Sequence, residues 1–230
     1  YRWGGLDKED ADLYLDETVR RMVNTTRSTM IDLAEKLYYE GLEDTLKANE
    51  SFAKSREILK LMESKMPESV MQYENYTETT VADLYLKISE ETGSTEDLQR
   101  AKEIAEKGLE RYTKFIPYLS SLSDWQLKSI AYHEKYVLDI ALPHCIALYK
   151  QTGGDLDKKL KELGVSIEDI LYARYRFYQI NYPYVEAHNF VNPMLQYYYI
   201  LELDSIDVFY NFFERLGVNR QQLEYSAQVE

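Results

Sequence analysis

Apolar residues recur along most of this chain at steps of three and four, the spacing that puts them on one face of a helix. The first stripe runs through Val19, Met22, Val23, Met30, Leu33, Ala34 and Leu37. Asp16 precedes it as the expected N-cap, since a carboxylate there accepts the unpaired first-turn N–H groups. Gly41 is expected to end this helix in a left-handed turn. A second helix carries Phe52, Ala53, Ile58, Leu59 and Met62 and stops before Pro67. An extended linker from Leu42 to Ser51 then joins the two. A connector rich in Glu, Tyr and Asn follows, from Pro67 to Thr80.

The third stripe, Val81, Leu84, Tyr85 and Ile88, predicts a helix over 80–91 closed by Gly93. Ser94 with Asp97 three positions on has capping-box spacing and restarts a helix carrying Leu98, Ala101, Ile104, Ala105, Leu109 and Tyr112 as far as Pro117. A fifth begins near Ser123-Asp124 and passes through Trp125, Leu127, Ile130, Tyr136, Val137 and Ile140 to Gly153-Gly154. Its stretch from Tyr136 to Tyr149 is interrupted by Asp139, Pro143 and His144, and reads as a buried, kinked helix. Beyond it come a short helix to Gly164, a longer one over 166–180 capped by Ser166 and Asp169, and two segments near 193–203 and 205–216. No stretch alternates apolar and polar residues long enough to argue a strand.

The predicted fold is therefore all-α. Leu33 to Pro67 and Leu84 to Pro117 each span close to the roughly 34-residue period of tetratricopeptide units. The pattern predicts tetratricopeptide-like antiparallel helix pairs in a short right-handed superhelix, with a diverged C-terminal helical segment. The expected organisation is an N-terminal junction over 1–15, repeats over 16–154, and Tyr-rich helices over 155–230 packed on them.

Composition narrows the partners. With 45% hydrophobic and 29% charged residues the 230-residue chain is a folded protein, and a net charge of −13 with a pI near 4.8 repels phosphate backbones and anionic membrane surfaces. Nucleic acid is not an expected partner, nor is direct insertion in a membrane, because no run approaches the roughly 18 apolar residues a span needs. The lone Cys145 cannot form an intrachain disulfide. The chain opens at Tyr1 with neither an initiating Met nor a leader-like stretch, and reads as a piece of something longer.

Candidate chemistry is sparse. Asp10-Ala11-Asp12 has the Asp-x-Asp form that holds a divalent ion in sugar-nucleotide transferases, but no phosphate cradle lies near it. His133-Glu134 opens like a zinc-protease motif, yet Val137 stands where the second ligand belongs. His144 and Cys145 are helix neighbours that point about 100° apart, which favours a packed thiol over a nucleophile pair. His188 has only Glu186 near it in sequence. Three Asn-x-Ser/Thr triplets start at Asn24, Asn49 and Asn75. No catalytic, metal or cofactor residue is expected. The aromatic content is the larger signal: of 22 tyrosines, Tyr172, Tyr175 and Tyr178 fall on helical spacing, and with Tyr182, Tyr184 and Tyr198 they define a candidate groove for a glycan or peptide, against a reading as tyrosine-rich core. Tyr197, Tyr198 and Tyr199 cannot all be buried on one helix face.

Arg2-Trp3-Gly4-Gly5, then the run from Tyr14 to Met22, the helix pair ending at Met66-Pro67, and Tyr118-Leu119-Ser120-Ser121-Leu122 together resemble the C-terminal region of one family. It is a group of multi-pass membrane proteins of Gram-negative bacteria, similar to the eukaryotic transmembrane protein O-mannosyltransferases, and the resemblance covers roughly residues 1–150. It implies a domain on the periplasmic side of the inner membrane, hung after the last span, with catalysis in the membrane part. The Leu42–Ser51 linker looks longer than the family's. On this footing Arg2, Trp3, Tyr14, Arg20 and Arg21 form a candidate interface, with Trp3 packed on the first helix or exposed. The expected partner is a protein or the parent membrane domain. A structural domain that only packs on its parent, and a carbohydrate- or peptide-binding module using the Tyr-rich third, are the alternatives.

Overall fold

The computed structural model describes residues 5–8, 13–74, 77–129, 135–182 and 206–221, and among these every regular element is helical. The chain divides into two compact units, residues 1–105 and 106–230, with the division inside one helix.

In the first unit, α1 spans Glu17–Glu43, α2 Ala48–Lys65, α3 Thr77–Thr92, and α4 Thr95–Thr113 begins. Asp16 caps α1 as expected, its Oδ1 accepting from the Val19 N–H at 2.8 Å. Gly41, however, does not end the helix. It lies buried inside α1, and a Cβ there would meet the Phe52 ring at 2.6 Å. The glycine serves close approach between helices, not a left-handed turn. The linker is correspondingly short: α1 gives way to α2 across residues 44–47, and Ser51 is already helical.

The two helices run antiparallel. Gly41 meets Phe52, the Ala34 carbonyl accepts from Ser55 Oγ at 2.7 Å, and Arg27 reaches the Met66 carbonyl, so the register falls on one helix as it rises on the other. Helix α3 packs against both. The buried stripe of α1 is Val23, Arg27, Ile31, Ala34, Tyr38 and Gly41, which corrects the sequence reading. Met22 and Leu33, expected inside, are exposed, and Val19, Met30 and Leu37 are half-buried.

Arg27 is the reason for the rotation. Fully buried, it donates through Nη2 to the carbonyls of Met66 (2.7 Å) and Met71 (2.6 Å) and through Nη1 to that of Gln72 (3.1 Å). Its guanidinium also sits 4.7 Å from the Tyr73 ring centroid. Burial pulls its pKa down, opposed by Tyr73, Glu68 and Glu74. The connector after α2 is thus wound around a side chain from α1. Ion pairs tie α2 to α4: Arg56 to Asp97, Lys60 to Glu96 and Arg100 to Glu63. Asp97 is taken by Arg56, so the capping box at Ser94 is only half made, with Ser94 Oγ accepting from the Asp97 N–H.

In the second unit come α5 Phe115–Ser121, α6 Asp124–Ser129, a π-helical segment Val137–Ala141, α7 Leu142–Gln151, α8 Leu156–Leu163, α9 Ile167–Asn181 and α10 Ile206–Arg215. Pro117 sits in the first turn of α5, where its missing N–H costs nothing. The expected fifth helix is instead divided among α6, the π segment and α7. Pro143 cannot donate to the carbonyl four residues back, and the helix arrives at it through a wider turn in which the Leu142 N–H bonds the Val137 carbonyl. Gly164 ends α8 at φ 68°, and Ser166 and Asp169 make a complete capping box on α9, both as read from the sequence. Lys159 of α8 bridges Glu106 and Glu110; burial alone would lower its pKa, but the two carboxylates outweigh that and raise it. Arg176 of α9 donates to the carbonyls of Ser120 and Leu122 and to Asp124, closing the end of α5 onto the start of α6.

Candidate interaction site

In the first unit, exposed apolar side chains gather on the α1–α2 hairpin. The unit's seven exposed large apolar side chains among the described residues (Tyr14, Met22, Leu33, Tyr39, Leu42, Leu46 and Leu61) all belong to the α1–α2 hairpin or its flanks. None lies on α3 or on the start of α4. Opposite the side where α3 packs, α1 presents Met22, Thr26, Thr29, Met30 and Leu33, and α2 presents the half-buried Ile58 and the exposed Leu61. Thr26 and Thr29 turn their hydroxyls back to the carbonyls of Met22 and Thr25, which leaves their methyl groups outward.

This face is also bare of charge where the chain is otherwise rich in it. Between Met22 and Ile31 the sole ionisable residue is Arg27, and Arg27 is buried. Ten residues of helix, about 15 Å, therefore show solvent only Met, Thr, Ser and Asn. Depletion of charge around apolar positions is what marks the centre of a protein interface.

Of the candidate interface residues, Tyr14 is 93% exposed just ahead of α1, and Arg20 and Arg21 are exposed on its first turns, with Arg21 Nε bonded to Glu17 at 3.0 Å. Arg2 and Trp3 lie outside the described residues.

Of the candidate groove, the four described tyrosines take different positions. Tyr175 packs in the core, edge-on to Phe213 at 5.8 Å, and burial raises its pKa. Tyr172 points to solvent. Tyr178 and Tyr182 do come together, stacked at 5.8 Å. Tyr178 OH donates to Asp139 Oδ2 at 3.0 Å, Asp139 accepts from the buried Arg174 at 3.1 Å, and Lys135 Nζ lies 3.2 Å from Tyr182 OH. Burial and then Asp139 raise the Tyr178 pKa. Asp139 is the middle residue of the π segment, whose wider turn re-aims its carboxylate toward α9. Tyr184 and Tyr198 lie outside the described residues, as do Tyr197 and Tyr199.

For the remaining motifs, Asp10–Asp12, His133-Glu134, Glu186, His188 and Asn75 also fall outside the described residues. His144 is exposed and Cys145 buried, turned apart as helix neighbours are. Asn24 bonds Glu74. Among the described residues no group of three His, Cys, Asp or Glu is placed to hold a metal, and no helix is long and apolar enough to cross a membrane. Sequence reasoning missed Arg27 and Arg174. The available signal was an arginine at a stripe position: Arg27 sits four residues from Val23 and four from Ile31, and Arg174 three from Leu171 and three from Phe177.

The chain matches no protein-family model, no curated protein and no solved structure.

Proposed function

We propose that this chain is a non-catalytic helical-repeat module for protein–protein interaction or assembly. Following the resemblance of its opening motifs, we place it on the periplasmic side of the inner membrane as part of a membrane glycosyltransferase-like protein. The observation that carries the reading is the uncharged, partly apolar flank of α1 between Met22 and Leu33. An exposed apolar strip on a helix is a cost in water unless something covers it. The antiparallel α1–α2 pair with α3 across it supports a tetratricopeptide-like layering, in which the helix pairs stack into a short right-handed superhelix.

A photocrosslinking residue at Thr29 of the full-length protein in cells tests this. Adducts are expected there and not at Glu57, which is exposed on another side of α2. Equal or absent labelling at the two positions would remove the reading.

The stacked Tyr178–Tyr182 pair beside Lys135 favours a second reading, a carbohydrate- or peptide-binding module built on the Tyr-rich third. It predicts that neutral oligosaccharides or peptides quench tyrosine fluorescence and that Tyr182→Ala abolishes the effect. No quenching at millimolar ligand would count against it.

A further inference from the structure

The carbohydrate-or-peptide reading leaves the ligand's chemistry open, and the charges around the stacked tyrosines narrow it. Tyr178 lies in the last turn of α9 and Tyr182 at its C-cap, their ring centroids 5.8 Å apart and their planes inclined by 27°. The inner ring is held from two sides: its hydroxyl donates to Asp139 at 3.0 Å, and the Arg174 guanidinium lies 5.6 Å from its centroid. The outer residue, Tyr182, is 40% exposed, and among the described residues Tyr178 is the ring it packs on. Lys135 Nζ is 3.2 Å from the Tyr182 hydroxyl oxygen and 5.7 Å from the ring centroid. It therefore stands off the hydroxyl edge of the ring rather than over its face. A flat apolar platform with a cation at its edge is thus held in place by its own side chains, which lowers the entropy cost of binding.

The charges of this cluster do not cancel. Asp139 is met by Arg174 at 3.1 Å, whereas Lys135 has the phenol of Tyr182 and no carboxylate bonded to it among the described residues. The hydrogen bond to Tyr182 raises the Lys135 pKa, so the amine stays charged. One carboxylate against two cations leaves a local positive excess, in a chain whose net charge is −13. We propose that Tyr182 and Lys135 bind an acidic sugar, its pyranose ring stacked on the exposed face of Tyr182 and its carboxylate paired with Lys135. The C–H groups of a pyranose make its faces apolar, and its equatorial substituents leave close to the ring plane. A sugar lying on Tyr182 therefore sends an equatorial carboxylate out past the edge of the phenol, where the amine stands. An extended peptide has no flat apolar face with an acid on its rim. With one N–H given to the Tyr182 hydroxyl, Lys135 keeps two for the two carboxylate oxygens.

The proposal rests on the carbohydrate reading of the Tyr-rich third, and a matched pair of sugars separates the two. Methyl β-D-glucuronide and methyl β-D-glucoside differ only in whether the exocyclic carbon is a carboxylate or a hydroxymethyl group. Each is titrated into the isotope-labelled 230-residue chain from about 0.1 to 50 mM, and its dissociation constant is read from amide shifts. The glucuronide should bind roughly fivefold more tightly, the gain expected of one exposed ion pair, and lose that margin in about 0.5 M salt. Lys135→Met should bring the two sugars to one affinity with little change for the glucoside, and Lys135→Arg should keep a preference. Tyr182→Ala, checked by unchanged helical circular dichroism, should abolish binding of both. Equal affinities in the unaltered chain overturn the proposal, as does a glucuronide preference that survives Lys135→Met. If the two sugars bind equally and both need Tyr182, the acidic ligand falls and the carbohydrate reading stands. If neither binds, the two fall together, and fluorescence quenching by a peptide would leave the peptide arm standing alone.

Discussion

Among the described residues each unit buries one arginine completely, and the two are held by opposite means. Arg27 of the first unit meets three backbone carbonyls of the connector and the face of Tyr73, with no carboxylate bonded to it among the described residues. Arg174 of the second is paired with Asp139 and lies 5.6 Å from the Tyr178 ring. The carbonyls are partial charges fixed by the chain's path, so Arg27 stabilises one course of the backbone. The carboxylate is a full charge on a side chain, so Arg174 fixes the packing of α9 against the π segment. One arginine organises a loop, the other a helix pair.

The largest test of this difference is Arg27→Ala. It opens a cavity and leaves three carbonyls to find new donors, and a loss of about 4 kcal/mol or more is expected in urea unfolding. Asp139→Ala should follow at about 3 kcal/mol, because it removes the carboxylate that faces the buried Arg174 charge. If Asp139→Ala proved the milder by far, or neutral, the carboxylate would not be what satisfies Arg174. Gly41→Ala should cost about 1–2 kcal/mol: a helical alanine gains on glycine, but Phe52 is itself buried and cannot retreat from the added methyl. A neutral result would mean that the helices can separate.

The smallest effect concerns alkali. Burial first, then Glu63, raises the pKa of Tyr73 and of Tyr85, whose hydroxyl bonds Glu63 at 2.8 Å. A tyrosine raised in the folded state keeps its stabilising effect below the ordinary value near 10 and loses it as pH climbs toward the folded value. The first unit should therefore weaken above about pH 10, with Tyr73 and Tyr85 ionising only as it opens, seen as delayed absorbance near 295 nm. Tyr85→Phe should soften that dependence. Tyr85 ionising like a free tyrosine in the folded chain would contradict its burial.

What the sequence disclosed follows the range of the interaction involved. Asp16, Ser166 and Gly164 act on the turn beside them, so their roles were readable from neighbours alone. Gly41 was misread because what requires a glycine there is Phe52, a residue of another helix. The face of α1 was misjudged by about a quarter turn because apolarity was counted and Arg27 was not. The interior wanted Arg27 for carbonyls some 40 residues away. The break ahead of Pro143 was legible as a kink, while its form as a wider turn carrying Asp139 depended on Arg174 in α9. The charge-free flank could be read from Met22 to Ile31 only once Arg27 was known to face inward.

The hold of Arg27 on the connector also orders events in time. Met66, Met71 and Gln72 are 39 to 45 residues from Arg27 in the chain, so their carbonyls gain this partner only after α1 and α2 have closed on each other. The connector is then a late arrival: weakening Arg27 should accelerate unfolding while leaving the refolding rate nearly untouched. Stopped-flow traces in which Arg27→Met slows refolding as much as it speeds unfolding would place the connector in the nucleus instead.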